Sequence, residues 1–445
     1  MASTFLYRTN GTASSTTKYT LSFWIKKCAN GVDMRLFNNY ADANNSGSIY
    51  FDASYSGLNV VDKIGGSTHL DMTTSRKFRD LNGYYHIVIA VDTTQGSSSD
   101  RCKIYVNGVQ ETAFAQAVYP SASANLGFQQ ATGGDNCRIG SHNGDGDYIN
   151  AVLSHVHYTD GYAYAASDFG ETDSTTGEWK IKTSPSVSYG TNGYFVLKDG
   201  AVMTDSSPNS NDFSKNGAGT LTKTEDNPSN VFATLNPLEP MGANVSFENG
   251  NTSFKCSDSS WRMFKGTLGM SSGKFYWEFK PTVDKGGDYA QIGILDAETF
   301  DPDDYIGNET YGYAYMFDGR KNVPAGASSY GDTWTTNDII SVALDMDNRK
   351  LYFAKNGTWQ NSGVPTSGST GTGAISVSAT PSTFMVAGSL YEGSGGAPIY
   401  QFNFGNGYFG TTAISSEGTN ASGIGKFEYD VPSGYTALST KGLNE

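Results

Sequence analysis

A chain of 445 residues has room for about two to four domains at ~100–200 residues each, every one able to bury its own core. Its formal charge of -14 argues against a phosphate-backbone ligand, which needs clustered Lys and Arg, and no run of ~18 apolar residues is present to insert into a membrane. Glycine fills 53 positions, charged residues are 17% against a usual ~25%, Tyr (28) and Phe (24) are abundant, and no long segment has helical apolar spacing. This is an all-β composition.

The opening text, "MASTFLYRTNGTASSTTK", lacks the apolar run of a secretion signal, so synthesis in a cytoplasm is expected. "KYTLSFWIKK" then reads as a strand with Leu21, Phe23 and Ile25 on one face. "HIVIAVD" puts Ile87, Ile89 and Val91 on one face and ends at an Asp92 turn, after which a strand from Ile104 to Asn107 runs into Asn-Gly, the favoured pair for a two-residue hairpin.

The same phrase returns about 250 residues later. "DIISVALD" carries Ile340, Val342 and Leu344 to an Asp345 turn, and the strand Leu351 to Asn356 again meets Asn-Gly. It is longer by two residues, which the strand period of two absorbs without turning a side chain over. Two copies of one meander predict two antiparallel sandwiches. The expected boundaries are a first sandwich over 1–165, a connector with short strands over 166–240, a second sandwich over 241–410, and a tail over 411–445 that packs on the sandwich or on a partner. Pro228, Pro237 and Pro240 punctuate the join.

The phrases "YTLSFWIK", "YYHIVIAVD", "KIYVNG" and "CRIGSHNGDGDYINAVLSHVHYTDG" resemble a laminin G-like, concanavalin A-type jelly roll. "GKFYWEFKP", "AQIGI", "YGYAY" and "DIISVALDMDNRKLYFAKNG" resemble a SPRY domain, also a concanavalin-type sandwich. The joining phrases, among them "HYTDGYAYAASDFGETDSTTGEWKIK", "SPNSNDFS" and "GKFEYDVPSGYTALSTKGLNE", resemble virion proteins of tailed bacteriophages, chiefly marine ones. That resemblance implies a non-enzymatic, tail-fibre-like adhesin of the virion, made in the bacterial host cytoplasm and touching a host-surface glycan or protein. Its implied partners are other virion proteins and further copies of itself, a trimer being one symmetry such fibres adopt. Because the first clear strand pattern begins within ~20 residues of Met1, leaving little text for a tail joint, a capsid decoration or head-fibre role is the alternative. A polysaccharide depolymerase is the third reading.

For catalysis the nearest carboxylates are Asp345 with Asp347, and Asp168, Glu171 and Asp173; the first pair flanks a turn, where Asp has a structural job. His155 and His157 sit at an i, i+2 spacing, as a zinc pair or as exposed positions alternating with Leu153 and Val156 toward the core. In "HNGDGDY", Asn143, Asp145 and Asp147 place oxygens at every second residue, as a calcium loop or an ordinary Gly-rich hairpin. No other cofactor is implied. Trp334, Trp359 and nearby Tyr330 stand in loop-like text, either closing the end of the core or stacking on a sugar; they are the candidate ligand-binding residues. Cys28, Cys102, Cys137 and Cys256 have no metal-like spacing and read as small core residues.

Overall fold

The computed structural model describes residues 4–130, 137–144, 146–198, 200, 202–239, 244–283, 289–391 and 397–444. The chain divides into two compact units, 1–223 and 224–445, and each is a pair of packed sheets.

In the first unit, strand Lys18–Lys27 lies between Ala151–Asp160 and Tyr85–Asp92 in a six-stranded antiparallel sheet. An eight-stranded sheet, with Met34–Asp42 and Asn45–Phe51 near its middle, covers it. Leu21, Phe23 and Ile25 point into the space between and meet Leu36, Phe37 and Ile49, with the Phe23 and Phe37 rings 4.9 Å apart across the layers. The alternation read from the sequence is thus the core face.

The opposite face of the six-stranded sheet is not wet. Trp24, His86 and Trp179 form a stack there, the Trp179 Nε1–H donating to His86 Nδ1 at 2.9 Å, and Ala166 and Phe169 pack on Val88. Burial of the His86 imidazole lowers its pKa to about 3, so it remains neutral and free to accept that bond. The stretch 166–240 is therefore not a separate connector. Up to residue 223 it belongs to the first unit: Tyr194–Val196 extends the six-stranded sheet and Ser214–Asn216 pairs with Phe5–Arg8.

The second unit places Lys274–Val283 between Ile399–Asn403 and Ile340–Asp345, opposite a sheet containing Arg262–Met270, Phe384–Tyr391 and Tyr289–Asp296. Trp277, Phe279, Val342, Leu344 and Phe402 fill its core. The tail packs on this sandwich: Thr436–Ala437 runs parallel beside Phe275 and Tyr276, and Phe427, Tyr435 and Leu438 join the core.

The repeated meander is the same device in both units. Asn107 and Asn356 have φ of 48° and 47°, and the glycines after them 80° and 81°, the left-handed pair that a two-residue hairpin turn requires. Each Asn Oδ1 accepts a backbone N–H at 2.8 Å, from His86 and from Ile339. Asp92 and Asp345 cap their turns and pair with Lys18 and Lys274 at 3.1 and 3.0 Å. The four cysteines are buried thiols. Among the described residues no helix is long and apolar enough to cross a membrane.

Candidate functional site

The expected aromatic platform is not where the sequence placed it. Trp334 is 2% exposed and Tyr330 5%; both belong to the core of the second unit. The Trp334 ring stands edge-on to Phe279 at 5.4 Å and to Tyr400 at 6.4 Å, while the Tyr330 hydroxyl accepts from Phe353 N–H at 3.3 Å. The loop turns inward because two large rings gain more by burial than by standing in water. Trp359 is half-buried beside Tyr352, in a two-residue strand paired with Ala354 and Lys355. The three do not form one exposed surface.

Of the calcium candidates, Asp145 lies outside the described residues. The Asp147 carboxylate pairs with Arg35 at 3.2 Å, its carbonyl accepts Arg35 N–H, and Asn143 donates its backbone N–H to Asn38 Oδ1. Among the described residues no three His, Cys, Asp or Glu side chains gather around a metal-sized space. His155 and His157 are buried, not exposed; a bulge at Ser154–His157 and a φ of 48° at His155 turn both rings against Phe195, with Val156 in the core.

The carboxylates considered for catalysis are engaged in local structure. Asp345 holds Asn348 and Lys274, Asp347 accepts from Gly273 N–H, and Asp168 caps Ala165. Asp173 accepts two backbone N–H groups and Lys180, which draw its pKa down to about 2; Glu171 lies 3.5 Å from the same lysine.

An aromatic shelf that the sequence reading missed lies on the second unit. Arg262 pairs with Leu390 across two strands, so Trp261 and Tyr391, one step beyond, end side by side with ring centroids 6.1 Å apart. The loop Asp296–Tyr305 then folds over the outer face of this sheet. Ile306 buries against Met263, Leu295 and Ala387, and this anchors Tyr305 at 4.9 Å from the Trp261 ring. All three residues are half-buried.

Polar groups flank the rings. The Arg262 guanidinium spans Asp258 at 2.6 Å and Asp303 at 2.5 Å, with the Asp303 side chain 66% exposed. Exposed Asp301 follows on the same loop, and Glu309 has its carboxyl raised by burial and by Asp304, Asp301 and Asp296. The surroundings are acidic, with Arg262 already committed to two carboxylates. Such a surface repels anions and suits a neutral ligand that offers an apolar face to the rings and hydroxyls to the carboxylates.

Comparison with known proteins follows the division into units. The family described as the concanavalin A-like lectin/glucanases superfamily, laminin G type, matches residues 5–166, and the SPRY domain family matches residues 274–380. The chain carries a laminin G-like domain and a SPRY domain. Among curated proteins it is similar to "ATP-dependent RNA helicase DDX1" of Xenopus laevis, 26% identical over 123 residues, covering 27% of this chain and 16% of that protein. It is also similar to "Probable ATP-dependent RNA helicase ddx1" of Dictyostelium discoideum, 29% identical over 99 residues, covering 22% of this chain and 12% of that protein. The chain thus spans under a fifth of the length of these relatives. Among solved structures, the SPRY domain of human HERC1 is 16% identical over 36% of this chain and 91% of its own, with a TM-score of 0.29. Stonustoxin is 16% identical over 38% of this chain and 27% of its own, with a TM-score of 0.27.

Within the SPRY domain, Tyr305 lies inside the matched stretch, whereas Trp261 and Tyr391 flank it on either side. The shelf is therefore assembled from a family segment and two strand ends outside it.

Proposed function

We propose that the chain is a non-enzymatic recognition protein of a tailed-bacteriophage virion, a tail-fibre-like adhesin whose SPRY-domain shelf contacts a neutral saccharide on the host surface. The observation that carries this reading is the trio Trp261, Tyr305 and Tyr391 beside the Arg262–Asp303 pair. Stacking on the apolar face of a sugar and hydrogen bonding to its hydroxyls need these two kinds of group side by side, on a scaffold that keeps them in place. The joining phrases, with their resemblance to phage virion proteins, support the biological setting. In a virion the protein would sit beside other virion proteins in several symmetric copies, and repeated weak sites would add up to firm attachment.

Trp261→Ala is expected to weaken binding of the full-length chain to host surface polysaccharide by at least about tenfold, a loss of roughly 1.4 kcal/mol. Trp359→Ala is expected to leave it within about twofold. Surface plasmon resonance on immobilised polysaccharide makes the comparison, and equal binding by wild type and Trp261→Ala would sink the shelf as the contact. Shortening of the polysaccharide chains on incubation would instead establish a depolymerase.

A further inference from the structure

Ten Asn-Gly pairs occur in the chain, and two of them form the paired hairpin turns at Asn107 and Asn356. An Asn followed by Gly is prone to ring closure, because the Gly backbone nitrogen approaches the Asn side-chain carbonyl with no Cβ of its own in the way. The fold decides which pair is free to close.

Most of these side-chain amides are committed elsewhere. Asn107 and Asn356 accept the N–H groups of His86 and Ile339. Asn10 accepts from Arg8, Asn192 exchanges two bonds with Gly11, and Asn406 accepts from Phe404 N–H and donates to Tyr408 O. Asn30 bridges Lys27 and the Arg79 carbonyl, and Asn249 donates to Ser253. Asn82 has its Oδ1 buried, and Asn143, at a φ of 49°, is held in a left-handed turn that ring closure would have to break.

Asn216 differs from all of these. It is exposed at the end of strand Ser214–Asn216, and its Oδ1 accepts from the N–H of Gly217 itself at 2.6 Å. The nitrogen that would attack is thus already against the amide, with Cγ one bond from the atom it touches. Gly217 has a φ of 93°, and the Lys215 ammonium donates to the carbonyls of Gly217 and Gly219 at 3.2 and 2.7 Å, which holds the next residues in this pose. Among the described residues nothing accepts from Asn216 Nδ2, the group that has to leave.

We propose that Asn216 is a self-modification site, converted to aspartate and isoaspartate through the backbone nitrogen of Gly217. That nitrogen gives its proton to hydroxide and bonds to Cγ; the Cγ–Nδ2 bond breaks, and Nδ2 leaves as ammonia after taking a proton from water. The cyclic succinimide then adds water. Opening at Cγ yields aspartate, and opening at the main-chain carbonyl yields isoaspartate, in which the chain runs on through Cβ and Cγ. Both products carry a new negative charge. In isoaspartate the former main-chain carbonyl becomes a free carboxylate, which disturbs the pairing of residue 216 with Phe5 at the edge of the eight-stranded sheet.

The test is peptide mapping by mass spectrometry on the full-length chain, incubated at mildly alkaline pH in heavy-oxygen water. The Asn216 peptide is expected to take up the label and to give two products, aspartate and isoaspartate, at least about tenfold faster than any other Asn-Gly peptide of the folded chain. In urea, where no fold distinguishes the pairs, all are expected to convert at similar rates. Asn216→Gln keeps the amide but moves its carbonyl a methylene away, and no labelled product is expected there on the same timescale. Conversion at Asn216 no faster than at Asn107 or Asn356 in the folded chain overturns the proposal. A lead that persists unchanged in urea also overturns it, since the selectivity would then come from neighbouring sequence and not from the fold.

Discussion

Trp334→Ala is expected to destabilise the SPRY domain by about 3–5 kcal/mol, the usual cost of emptying a large buried aromatic site. The indole is 2% exposed, faces Phe279, Tyr400 and Tyr315 at 5.4, 6.4 and 6.5 Å, and closes one end of the core. Calorimetry on the full-length chain is expected to show a lowered unfolding midpoint, while the protein still folded at low temperature binds saccharide as the wild type does. Trp334→Phe is expected to cost less than about 1.5 kcal/mol, because it preserves much of the packing and removes an indole N–H that meets no acceptor among the described residues. Loss of ligand binding with an unchanged midpoint would return Trp334 to the role of a surface platform.

The second large effect is expected at Glu278, a buried carboxylate that fastens the C-terminal tail. Oε1 accepts from Tyr429 N–H at 2.9 Å and the Tyr276 hydroxyl at 3.1 Å; Oε2 accepts from Glu428 N–H at 2.9 Å and the Asn403 amide at 3.1 Å. Glu278→Ala leaves the two tail N–H groups without their acceptor. At about 1–3 kcal/mol for each orphaned donor, the loss is on the order of 4 kcal/mol. Hydrogen exchange is expected to rise first at residues 428 and 429, and unchanged protection there would refute the clamp.

The same carboxylate makes stability depend on pH. Burial raises its pKa to about 7 from the ordinary 4.5, even though the backbone N–H groups of Glu428 and Tyr429 pull it down. Between those values the folded chain binds the proton that the unfolded chain has released, so this group's contribution to stability falls as pH rises from about 4.5 to 7. At 1.36 kcal/mol for each pKa unit, the full change is on the order of 3 kcal/mol. Glu278→Gln removes the titrating group, and denaturation curves across that window are expected to show a flatter pH dependence than wild type. An identical slope in both proteins would contradict the assignment.

The meander was legible because its signals are local. Alternation over Ile87–Val91 and Ile340–Leu344, an Asp turn and an Asn-Gly pair lie within about 20 residues of one another, and their geometry follows from strand period and left-handed φ alone. Strand Phe5–Arg8 was not legible. Four residues carry little pattern, and the strand exists because Cys137–Ile139 and Ser214–Asn216, more than 100 residues away, pair with its two edges. The 166–223 stretch reads as a linker for a related reason: its Ser, Thr, Gly and Asp are linker text, while Phe169 and Trp179 supply a layer over the sheet and Tyr194–Val196 adds a strand to it, which composition alone does not reveal.

Sequence alone determined the all-β class, two sandwiches with one repeated hairpin, and laminin G-like and SPRY character, since these rest on short-range periodicity and contiguous phrases. Only the tertiary structure decided which aromatics meet a ligand-accessible surface. Trp334 and Trp261 stand in similar polar text, but one is drawn under the end of a core and the other is held at a strand end by a register with Tyr391, 130 positions away. Burial is a property of what packs from elsewhere in the chain, and a side chain's own neighbours in sequence do not encode it.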